Sequence, residues 1–251
     1  GIGFYLPMKG SANPGADFSV ESNSILEINN HFSQPDAGLR NDTATAKTDP
    51  YAEYLKLAVP LNGSLVDYSS SKHTLTNNGA TSSTTSVYYG TSYQFDGADP
   101  DYINITDDDS TFYFTGDYTI EAWIRPSSLD GNYHSFISQW GNLNDRNFEF
   151  DLRGDAGNAF RFYQNFNGTT RSITSETVAK DNEWHHLAFV RDGNTGKLFV
   201  NGVLEAINTS WSGTPNNSST TVTIGGYGAT PSAGAGAWYG WIQDLQRRCK
   251  I

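Results

Sequence analysis

The sequence predicts an all-β protein built as a two-sheet antiparallel sandwich, and three observations carry that expectation. Short apolar segments recur about every ten residues with Gly, Asn, Asp or Pro between them, the rhythm of sandwich strands and their turns. The segments are rich in Val, Ile, Phe, Tyr and Trp, the residue types that fit a pleated, half-buried surface. No sustained helical period of apolar residues competes with them.

In chain order, residues 1–50 read as a loop-rich N-terminal arm. The apolar patch GFYLP is followed by Pro, Gly, Asn, Asp and Thr without a period, and the boundary falls near Asp49-Pro50. Residues 51–251 are expected to form the sandwich. Leu55, Leu57, Val59 and Leu61 alternate as its first strand, which Pro60 places at an edge or ends. Residues 67–86 are a Ser/Thr/Asn-rich connection. Strands are then expected over 87–95, 102–105, 118–125, 134–140, 147–153, 159–164, 170–175, 184–192, 196–203, 221–225 and 237–246. Two apolar runs flank Asp192-Gly193-Asn194-Thr195-Gly196, so these read as a hairpin.

Composition narrows the function classes. Aromatic residues make up 14% and charged residues 17%, the balance of a packed β-protein with polar loops, and 251 residues suffice for one sizeable core. A formal net charge of −11 disfavours nucleic acid and anionic membrane as partners and suits neutral ligands or bound cations. Cys249 stands alone, so no internal disulfide can form, which fits folding in a reducing cytoplasm. No apolar run approaches the roughly 20 residues of a membrane span, so no membrane insertion is expected.

The segments YTIEAWIRP, EWHHLAFVRDGNTGKLFVNGVL, TVTIGG and WYGWIQDL resemble the laminin G-like, concanavalin A-type lectin and glucanase fold. LAVPLNG, VDYSSSKHTLTNNG and YYGTSYQFDGADPDYINI extend the likeness over roughly residues 51–248. It implies a jelly-roll sandwich, a fold that hosts lectins, glycosidases and plain assembly modules. The GFYLP leader and DPY…LAVPLNG are most similar to domains of tailed-phage structural proteins. The tail QRRCKI departs from the apolar end that the family carries.

Four constellations could carry chemistry. Glu149 and Asp151 share one strand face, as do the paired carboxylates of glycosidases that resemble this fold. The next residue on that face is Arg153, and Gly154 stands where the family's last Glu lies. An arginine holds neighbouring carboxylates ionised and removes the general acid. The expectation is therefore an Asp–Arg pair on a solvated strand face, and no catalysis. His185 and His186 are adjacent in a strand and point to opposite faces, so they cannot share a metal. Asp67, Asp96, Asp99 and Asp101 offer loop oxygens for a structural calcium ion; the match of Asp67 to an Asp of the family supports this. Trp140, Trp211, Tyr227 and Trp238 sit at strand ends or in loops beside Asn142 and other amides. Aromatic faces and amides together are the chemistry of a sugar site. Trp123 and Trp184, inside regular strands, are expected in the core.

The resulting expectation is a non-catalytic, lectin-like module of a phage virion structural protein. It would fold in the host cytoplasm, form an oligomer, and bind surface glycan or neighbouring virion subunits. A glycoside hydrolase of the same fold, or a purely architectural virion module, is the alternative.

Overall fold

A computed structural model describes residues 52–249 except 98–100, 107–110, 142–144, 229 and 232–235. The N-terminal arm expected over residues 1–50, with Asp99 and Asn142, lies outside the described residues. Fifteen strands among the described residues form two antiparallel sheets. They are β1 (Leu55–Val59), β2 (Leu75–Asn78), β3 (Thr81–Ser83), β4 (Ser92–Phe95), β5 (Tyr102–Ile105), β6 (Tyr118–Pro126), β7 (His134–Trp140), β8 (Arg146–Arg153), β9 (Ala159–Phe166), β10 (Thr169–Val178), β11 (His185–Asp192), β12 (Thr195–Val200), β13 (Val203–Asn208), β14 (Val222–Ile224) and β15 (Gly240–Cys249). Sheet 1 runs β13-β12-β11-β6-β15-β4-β3, with β1 also paired to β15. Sheet 2 runs β10-β9-β8-β7-β14-β5-β2.

Alternation decides what lies between the sheets. Along β6, Tyr118, Ile120, Ala122 and Ile124 are buried while Thr119, Glu121, Trp123 and Arg125 are not, a strict period of two. Phe148 and Phe150 of β8, Phe160 and Phe162 of β9, and Leu187 and Phe189 of β11 fill the interior. Phe162 and Phe189 stack at 3.8 Å, joining the two sheets. Each large side chain removed from water in this way contributes about 1.5–3 kcal/mol.

Three segments differ from expectation for identifiable reasons. The expected strand 196–203 breaks at Asn201-Gly202, both with positive φ (52° and 80°), which turns the chain back into β13. The connection 67–86 holds β2 and β3, which are short and polar because only one side of each is covered. The polar tail is a strand: Gln246–Cys249 pair with β6, and Gln246–Arg248 also pair with β1. Arg247 is buried there with its guanidinium 4.8 Å over Phe114, so a long stem and a cation on an aromatic face fill this place.

Candidate functional site

Several residues expected to bind a ligand belong to the core instead. Trp211 and Trp238 are fully buried. Trp211 packs 4.9 Å from Phe189, and its Nε1 donates to Gln164 Oε1 at 3.0 Å. Tyr118 Oη donates to the same oxygen at 2.8 Å. Trp238 lies edge-on to Phe136 at 5.9 Å. Neither indole can present a face to a sugar, because both are enclosed in the core cluster. Trp123 does the reverse: flanked by inward-facing Ala122 and Ile124, it is forced onto the outer face of sheet 1, where Tyr88 meets it edge-on at 5.4 Å.

Asp67 is enclosed by hydrogen-bond donors of its own chain. Its Oδ1 accepts the backbone N–H of Ala58 (3.0 Å) and of Ser69 (2.9 Å). Its Oδ2 accepts Ser69 Oγ (2.8 Å), the His73 N–H (2.9 Å) and His73 Nδ1 (2.7 Å). Burial pushes this carboxyl up, but the donors more than offset it and hold it below the usual range. Five donors leave no oxygen lone pair directed at an ion. Asp96 and Asp101 meet in their own loop, Asp101 Oδ2 accepting the Asp96 N–H at 2.9 Å. Among the described residues no three acidic, His or Cys side chains gather as a metal would need, so the expected calcium set does not assemble there.

The remaining candidates meet on the outer face of sheet 2. Pairing aligns Asn104, Thr223, Ser138, Glu149 and Tyr163 in one row across β5, β14, β7, β8 and β9. A second row holds Ser135, Asp151 and Arg161. The alternation Phe160, Phe162, Gln164 inward leaves Arg161 and Tyr163 outward. That period was legible in the sequence and is the signal that could have added Tyr163 to the expected site.

Arg161, across the sheet on β9, is the partner of both carboxylates. Its Nε donates to Asp151 Oδ1 at 3.0 Å and its Nη2 donates to Asp151 Oδ2, while Glu149 Oε2 lies 3.6 Å away. Arg153, expected in that role, instead bonds Asp155 at 2.9 and 2.5 Å. The face is not solvated either: Asp151 is 0% and Glu149 6% exposed. Burial pushes the Glu149 carboxyl up to about 8, the Asp151 charge adds to this, and Arg161 opposes it. Burial pushes Asp151 up as well, and its bonds to Arg161 oppose that rise.

Around these groups stands an arc of rings open to solvent. Trp140 lies 5.2 Å from Tyr163 and 6.4 Å from Tyr227. Arg161 sits 5.3 Å from the ring of Tyr133 and 5.5 Å from that of Tyr163. Tyr133 and Tyr227 are exposed, and Trp140 and Tyr163 partly so. The segment around Tyr227 is fixed to the sheet by Ser138 Oγ donating to Gly226 O (2.9 Å) and Thr223 Oγ1 donating to Gly228 O (2.8 Å). Gly236 has φ +85°, and a Cβ there would stand 1.7 Å from Tyr227 Cδ1, so only glycine lets this ring rest on the backbone. Trp140 and Tyr227 are therefore brought together as the sequence suggested.

Comparison with known proteins agrees with this architecture. The model of the concanavalin A-like lectin/glucanases superfamily matches residues 96–246. No curated protein sequence matches the chain. Among solved structures, the binding domain of Paraclostridial Mosquitocidal Protein 1 is similar with a TM-score of 0.63 at 15% identity, over 80% of this chain and 50% of that one. The receptor binding domain of botulinum neurotoxin mosaic serotype C/D gives 0.61 at 14% identity, over 80% and 48%. A botulinum neurotoxin type C structure, of a toxin whose cell entry depends on two ganglioside molecules, gives 0.59 at 14% identity, over 80% and 49%. The chain spans about half the length of these structures, and at such identity the likeness is one of fold. Two antiparallel sheets, their jelly-roll packing and a family match over more than half of its length make this chain a member of the concanavalin A-like lectin/glucanase superfamily.

Proposed function

We propose that the chain is a non-catalytic, lectin-like module that binds a surface glycan on the outer face of sheet 2 through Trp140, Tyr163 and Tyr227. The observation that supports this is the continuous arc of solvent-facing rings, with Trp140 5.2 Å from Tyr163 and 6.4 Å from Tyr227. Sugar rings offer C–H faces that lie against aromatic planes, and a few fixed polar groups then set orientation.

The same site argues against hydrolysis. A retaining glycosidase needs two carboxyl groups about 5–5.5 Å apart, one of them free to attack as a nucleophile. Asp151 is fully buried and holds Arg161 through both oxygens, so it is not free. Glu149 is left as an acid without a working partner.

The setting we propose is a tailed-phage virion, resting on the resemblance of the leader and first strand to such proteins. The arm of residues 1–50 would then join neighbouring subunits, and its removal is expected to turn a multimer into a monomer in sedimentation. The deciding experiment for the binding role is a glycan array, run with and without a calcium chelator, on the parent, Trp140→Ala and Tyr163→Ala. Retention by the parent and loss in both variants is expected. Retention that survives both substitutions, or turnover of a glycan that Glu149→Gln abolishes, would overturn the reading.

A further inference from the structure

Among the described residues Arg146 forms no ion pair, unlike Arg153 and Arg161. A register shift between Gln139 and Trp140 pairs Trp140 with Arg146 and leaves Asn147 over. This bulge puts Arg146 on the outer face, beside Trp140, when simple alternation would turn it inward. Its guanidinium lies 4.4 Å over the Trp140 ring, and its Nε is buried with no hydrogen-bond partner among the described residues.

The acids nearby are committed elsewhere. Asp145 accepts the Ser219 N–H (2.9 Å), Ser219 Oγ (3.0 Å) and Thr220 Oγ1 (2.9 Å). Asp151 holds Arg161. Glu149 lies against Arg161, 3.6 Å from its guanidinium. Residues 142–144 are Asn, Leu and Asn and supply no carboxylate.

A guanidinium stacked on an indole keeps its edge N–H groups pointing outward in a planar fork, the shape that receives a carboxylate through two bonds. Resting on the glycan-binding reading, we infer that this platform takes an acidic glycan, with the Arg146 guanidinium gripping a sugar carboxylate while the sugar contacts the aromatic arc.

The test compares matched acidic and neutral probes on the intact chain: sialyllactose against lactose, and oligogalacturonate against its methyl ester. The parent is expected to bind the acidic member at least tenfold tighter, with the preference shrinking as salt rises. In Arg146→Ala the acidic-to-neutral ratio should fall to about one, and Arg146→Lys should restore part of it, since a point charge replaces the fork. Equal binding of acidic and neutral probes by the parent, or a ratio unmoved in Arg146→Ala, overturns the inference and leaves the platform standing. A preference for sulfated over carboxylated probes overturns it as well. Binding of neutral probes that ignores Trp140→Ala defeats the platform itself, so the two failures are distinguishable.

Discussion

The rings of Trp140 and Tyr163 meet at 5.2 Å although their strands, β7 and β9, are separated by β8. They meet over β8, where Trp140 pairs with Arg146 and Tyr163 with Glu149, while Asp151 lies farther along the strand beside Ser135 and Arg161.

Trp140→Ala and Tyr163→Ala are expected to weaken glycan binding at least tenfold, about 1.4 kcal/mol or more, while shifting the melting temperature little. Trp211→Ala should behave oppositely. Removing a fully buried indole costs about 3–5 kcal/mol, and bound glycan should be unaffected in the fraction that folds. Urea titration beside a binding assay separates the two patterns; a stable Trp211→Ala that has lost binding would reverse the assignment.

Asp67→Ala should be among the most destabilising single changes in the domain, by roughly 3–5 kcal/mol. It strands the buried N–H groups of Ala58, Ser69 and His73. Denaturant midpoints measured in calcium and in chelator should drop by the same amount. A drop seen only in calcium would return Asp67 to the metal.

Stability should decline as pH rises from mildly acidic values to about 8. The folded chain keeps protons on Glu149 (about 8) and Asp244 (about 7), both raised chiefly by burial, that the unfolded chain has released. Wherever the native state binds more protons, raising pH favours unfolding. His185 works in the other direction: burial lowers it, so the unfolded chain takes a proton first as pH falls below roughly 6.5. Two raised carboxyls outweigh the one lowered imidazole, so the expected profile is a maximum near roughly pH 4–5 and a decline on the order of a few kcal/mol toward pH 8, flattened in Glu149→Gln. A parent with constant stability between pH 6 and 8 would contradict this.

Glycan hydrolysis is expected to be absent from a screen of β-glucans and galactans, because Asp151 holds Arg161 through both oxygens. Arg161→Ala should not create activity; it should lower stability by about 3–5 kcal/mol by leaving a buried carboxylate unpaired. Turnover in the parent is the outcome that would defeat this.

The sequence by itself determined the fold class, the positions of most strands and the hairpin at Gly193-Asn194. Those follow from local rules: a period of two, β-branched and aromatic segments, and glycines that accept positive φ. It also marked Trp140 and Tyr227 as a pair of candidates, because strand ends and loops are where a sandwich displays side chains. Tertiary structure alone decided the rest. Trp211 and Trp238 look the same as Trp140 in sequence, but the direction in which a loop folds depends on which cavity it fills. Arg161 replaced Arg153 as the partner of Asp151 because strand register, not sequence distance, sets which residues face each other. Arg146 reached the outer face through a bulge, and a single extra residue reverses every orientation that alternation predicts.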